Sequence, residues 1–211
     1  MEFFTWLLFI AVAFVATISP GPAILLSLSN SIRFGMRKVM LSSFGNICGL
    51  FILSCAAIFG LGAILKTSTT LFLMIKLLGA AYLIYLGVRQ WRSKTNFFAG
   101  SERHLNVKGK SNKQIFSEGF LIAITNPKAI LFFIALFPQF INTQLVLVPQ
   151  FLIMTLTFMV LSFLSLVAYG LLASKAKGWF STGQRSKWFN RVLGGIFTLI
   201  GVGLLQLKIE R

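Results

Sequence analysis

Two short stretches carry the residue types that could do chemistry: Ser19-Pro20-Gly21-Pro22-Ala23 and Thr125-Asn126-Pro127-Lys128-Ala129. Each lies inside a long apolar run. A proline in a helix interior removes a backbone donor and clashes one turn back, at about 3 kcal/mol or more. In a bilayer, the carbonyls so freed survive only when buried in protein or facing a water-filled cavity. They could accept from a substrate ammonium. Helix starts just after the breaks, near Ala23 and Ala129, would add N–H donors and partial positive charge. Lys128 is the most informative residue of the set. An unpaired lysine at the bilayer centre costs about 2.5–3.5 kcal/mol, so it needs a partner. That partner is either a substrate carboxylate or backbone carbonyls of the opposite broken helix. Asn126 either lines the same cavity or caps the half-helix after it. Paired broken helices are the sequence mark of a transporter's binding site. The candidate substrate-binding residues are therefore Pro20, Gly21, Pro22, Asn126, Pro127 and Lys128, joined by Asn46 in the second apolar run, which either makes an interhelical hydrogen bond or lines a substrate path.

Other chemistry finds little support. Cys48 and Cys55 fall on one predicted helix about 10 Å apart. That is too far to pair within the chain, and no Cys-x-x-Cys occurs. Hard cations want several oxygen ligands, and the chain has no aspartate. No nucleophile–base constellation appears, so an enzyme, a metal site and a cofactor are not expected.

The elements that must position the two breaks are membrane spans. Of 211 residues, 56% are hydrophobic and 11% charged, with a mean hydropathy of +0.84. Apolar stretches run at about 3–28, 40–65, 70–88, 115–140, 148–173 and 190–207. Each is close to the roughly 20 residues that cross about 30 Å of hydrocarbon. Six spans in one domain leave no room for a soluble one. The net charge of +16 follows the loops and not one amphipathic face, which argues against nucleic acid. Fifteen of the twenty basic residues lie between spans one and two, three and four, or five and six. By the positive-inside rule these loops are cytoplasmic and both termini lie outside.

Along the chain, Asn30 to Lys38 reads as a short basic loop. Gly45 and Gly49 form a small-xxx-small pair of the kind that lets helices approach in lipid. Span three carries Tyr82 and Tyr85 and ends in the Arg89-Gln90-Trp91-Arg92 interface anchor. Residues 93–114, with the single histidine His104, read as a cytoplasmic linker. Gly119, Ala123 and Asn126 make a narrow small face that could pack on span one. Span five is bland, with Ser162 and Ser165 its few polar groups, and the 23 phenylalanines read mostly as lipid-facing bulk. At an offset of 106, Ile18, Ala23, Ile24 and Leu25 pair with Ile124, Ala129, Ile130 and Leu131. At an offset of 115, Lys76-Leu77-Leu78-Gly79 pairs with Arg191-Val192-Leu193-Gly194. The expected fold is an all-α integral membrane protein of six transmembrane helices as two inverted three-helix repeats, with helices one and four broken. Repeat one covers about 3–92 and repeat two about 115–207.

Several of these motifs together resemble the LysE/RhtB family of bacterial amino-acid exporters. They are Ser19-Pro20-Gly21-Pro22, the basic loop after it, the Asn126-Pro127-Lys128 region, Gly79-Ala80-Ala81-Tyr82-Leu83-Ile84-Tyr85-Leu86-Gly87, and Arg191-x-x-Gly194. The resemblance covers essentially the whole chain outside 93–114. It implies export of amino acids or closely related small metabolites across the inner membrane by proton antiport. Many relatives carry an acid directly after Pro-Gly-Pro, where this chain has Ala23. Of its four glutamates only Glu118 lies near a span, which makes it the candidate proton carrier. A transporter of a cation or metal on the same architecture is the alternative. The expected partners are a small amino-acid substrate and the lipid bilayer. The glycine faces could serve within one chain or between two copies in a homodimer.

Overall fold

The computed structural model describes residues 1–67, 69–92, 109–142, 144–175, 188, 191–192, 194–196, 198–199 and 202. No strand occurs among them. The first broken span consists of α1 (Phe3–Ile18) and α2 (Pro22–Phe34), bent by 54°. Pro22 sits at the first turn of α2, where a missing N–H costs nothing. α3 (Met36–Thr67) follows after Gly35 alone. Gly35 has φ +81°, the one positive φ among the described residues, and turns the chain without a loop. The expected loop from Asn30 to Lys38 is thus helix on both sides of one glycine.

α4 (Thr69–Arg92) follows it. α5 (Asn112–Thr125) begins before the expected boundary at 115. Ser111 and Gln114 form a capping box that satisfies the orphan donors of its first turn. After the second break come α6 (Pro127–Leu131), a π-type turn (Phe132–Leu136) and a 3₁₀ turn (Phe137–Phe140). The pair is bent by 48°. α7 (Leu147–Lys175) closes the described core. Met36–Gly60 and Leu147–Ala173 are each apolar enough to cross a bilayer, with mean hydropathies of 1.8 and 2.4, and each bent pair qualifies when taken as one span. The chain is an all-α membrane protein. Most of the linker, His104, most of the loop between spans five and six, and much of span six lie outside the described residues.

Close packing follows the small residues. On α3, Gly45 lies against Phe116 O, and a Cβ added to Gly49 would sit 2.7 Å from Ala123 Cβ. On α5, Gly119 faces Ser42 with no space for a Cβ. The narrow face of α5 therefore packs on α3, where it meets the complementary glycine pair, and α5 touches α2 of span one to a much smaller extent. α2 docks on α7 through Ser27 and Ser31, whose hydroxyls donate to Leu166 O and Gly170 O at 2.6 Å each. The phenylalanines divide. Phe9, Phe132, Phe133, Phe137, Phe140, Phe151 and Phe158 are buried together, with Phe132 and Phe158 centroids 4.4 Å apart. Those seven form a packed aromatic core and not lipid-facing bulk, because α1, α7 and the irregular segment after Pro127 turn them toward one another.

Candidate functional site

The two breaks meet. Lys128 Nζ donates to Ala16 O at 3.0 Å and to Ser19 O at 2.7 Å. Ala16 O is available because residue 20, one turn on, is a proline with no N–H to give it. In the same way Pro22 deprives Ile18 O, which accepts instead from the Tyr169 hydroxyl at 2.7 Å. Pro127 deprives Ala123 O, which accepts from the Asn126 N–H at 3.3 Å. All three freed carbonyls are thus engaged inside the protein. Of the two partners open to Lys128, the carbonyls of the opposite broken helix are the ones it takes here.

Asn126 caps the half-helix, its Oδ1 accepting from the Lys128 N–H at 3.1 Å. Gly21 stands at the equivalent place before α2 and has no side chain with which to cap it. A Cβ on Gly21 would meet Lys128 Nζ at 3.4 Å, an ordinary van der Waals contact. An ammonium has three donors, and the two carbonyls use two.

Two cavities adjoin the bridge. The inner one, of about 40 Å³, is lined among others by Thr17, Asn46, Phe132, Phe158 and Ser162. That is space for roughly three waters and not for an amino acid. The outer one is a vestibule of about 750 Å³, lined by both breaks and by Tyr82, Tyr85, Arg89, Gln90 and Arg92 of α4. Gly21, Asn126 and Lys128 border both cavities. Six of the seven expected residues line the vestibule. Asn46 lines the inner cavity, where its Oδ1 accepts from the Ser162 hydroxyl at 3.3 Å.

Glu118 is placed elsewhere. It pairs with Lys110, and eight residues of helix, about 12 Å, separate it from Asn126. It lines neither cavity, and none of the described lining residues is acidic. The vestibule wall instead carries Lys128, Arg89 and Arg92.

Sequence reasoning missed Thr17 and Tyr169 and undervalued Ser162 and Ser165. Ser165 Oγ donates to Thr17 Oγ1 at 3.3 Å beside the inner cavity. A signal was present: Ser162, Ser165 and Tyr169 stand at i, i+3 and i+7, one face of an otherwise apolar helix. Tyr82, Tyr85, Arg89 and Arg92 repeat that spacing on α4.

From residue 6 to 208 the chain matches the LysE type translocator family. It is 33% identical to the homoserine/homoserine lactone efflux protein of Salmonella typhimurium over 209 residues, 99% of each chain. It is 32% identical to an uncharacterized membrane protein of Vibrio cholerae over 97% of each chain. An uncharacterized membrane protein of Bacillus subtilis is 31% identical, over 94% of this chain and 96% of that one. No solved structure matches it. The chain belongs to the LysE-type translocator family.

Proposed function

We propose that this LysE-type translocator exports small amino acids or close derivatives, homoserine and its lactone first among them, across the bacterial inner membrane. The carrying observation is the bridge between the breaks: Lys128 of one reaches the freed carbonyls of the other at the inner wall of a roomy vestibule. A zwitterion enters by inserting into this bridge. Its ammonium takes the carbonyl oxygens and its carboxylate takes the Lys128 ammonium, so each charge exchanges one partner for another and none is left bare. Asn46 and Ser162 receive the polar side chain. The work is transport and not catalysis. A metal cation is disfavoured, because the described lining of the vestibule carries three positive side chains and no carboxylate ligand.

Six spans in two inverted repeats, with the basic loops cytoplasmic, put the vestibule mouth at Arg89 and Arg92 on the cytoplasmic side. Outward movement runs in exchange for protons, with Glu118 the acid available to carry them. Export is read as uptake into inside-out membrane vesicles, with an amino-acid panel, with and without a pH gradient. Homoserine should accumulate, and only with the gradient. Movement indifferent to the gradient removes the antiport. If no amino acid moves, the export reading fails.

A further inference from the structure

We infer that Tyr82, Tyr85 and Arg89 of α4 form a separate entrance subsite, which takes the carboxylate of the amino acid before it reaches Lys128. The inference rests on the export reading above but on different residues. The three stand at i, i+3 and i+7 and share one helix face, and that face lines the vestibule. The rings of Tyr82 and Tyr85 lie 6.2 Å apart and stack at 28° from parallel, which puts two phenols together in the vestibule wall. Arg89 is exposed, at the outer end of that wall. Lys128 stands at the inner end, since it also borders the buried cavity.

Arg89 has no acidic partner among the described residues, whose one ion pair joins Lys110 to Glu118. A guanidinium offers a fixed fork of donors that matches a carboxylate, and neighbouring phenols extend the donor set. From Tyr82 to Arg89 the helix rises two turns, about 10 Å. The wall is therefore longer than a small amino acid and holds a position outside the one at Lys128. With Arg89, Arg92 and Lys128 and no acid among its described lining residues, the vestibule draws the carboxylate end of a zwitterion inward first, and the ammonium follows. The phosphate of an anionic lipid offers the same chemistry from a second source.

The test is the initial rate of uptake into inside-out vesicles against concentration, for homoserine and for its lactone, which has no carboxylate. Arg89→Gln should raise the KM for homoserine about fivefold, the scale of a partly solvated charge pair. Vmax should be unchanged, the lactone unaffected, and Arg89→Lys should recover part of the loss. Tyr85→Phe should act in the same direction and more weakly. An equal KM rise for the lactone, or no change for either compound, overturns the subsite while leaving export intact. So does an Arg89→Gln effect that vanishes in proteoliposomes of zwitterionic lipid, which would make a lipid headgroup the anion. Wild-type protein that moves neither compound overturns the export reading and this subsite with it.

Discussion

The two proline breaks look alike in sequence and are settled in opposite ways. At the first, two prolines free Ala16 O and Ile18 O, and both are taken by side chains from elsewhere, Lys128 and Tyr169. At the second, one proline frees Ala123 O, and Asn126 meets the need locally, with its own N–H and its capping side chain. The first break is a receiver. The second is self-sufficient and so has Lys128 to lend. Their continuations differ too: α2 is a regular helix of 13 residues, whereas the five residues of α6 give way to a π-type and then a 3₁₀ turn. Mid-helix π and 3₁₀ stretches mark hinges, so the two broken spans need not move alike. A break that depends on distant partners is one that those partners can open.

The contrast can be broken most severely at the α3–α5 crossing that presents the second break to the first. Gly119→Leu should destabilise by about 3 kcal/mol or more, since Ser42 backbone stands where the side chain must go. Loss of a monodisperse peak in detergent would report it. Next comes the bridge itself. Lys128→Met should cut homoserine uptake tenfold or more, roughly the cost of removing one partner of a buried charge-assisted pair. Uptake equal to wild type would end the substrate role of Lys128. Tyr169→Phe leaves Ile18 O without its partner and should lower stability by about 1 kcal/mol, an ordinary value for a hydrogen bond within a bilayer. A thermal shift in detergent checks it, with uptake largely retained. The smallest effect sharpens the comparison from the other side. Asn126→Ala should cost about 0.5 kcal/mol, the low end for a lost cap, because the backbone N–H of residue 126 still serves Ala123 O. Were Tyr169→Phe and Asn126→Ala to trade places, with the first harmless and the second crippling, the receiver and the self-sufficient break would have been assigned the wrong way round.

Much of this was legible in the chain alone, because it depends on backbone chemistry and local periodicity. Two prolines at Pro20 and Pro22 orphan carbonyls wherever they stand, and a lysine at Lys128 inside an apolar run demands a partner in any fold. The apolar runs, the glycine pair Gly45 and Gly49, and the class of protein follow from composition and spacing in the same way. What only the tertiary structure decided are the partners. Lys128 and Ala16 are 112 residues apart, and Tyr169 and Ile18 are 151 apart. No periodicity carries information over such separations. The small face of Gly119 and Ala123 was visible, but not that it would choose α3 over span one. Seven phenylalanines became core because three elements converge on them, a fact that no one element contains. Glu118 is near a span in sequence and remote from the site in space, since a helix that rises 1.5 Å per residue turns eight positions into about 12 Å. Residue types dictated which groups would need a partner, and the packing of distant helices dictated which partner each received.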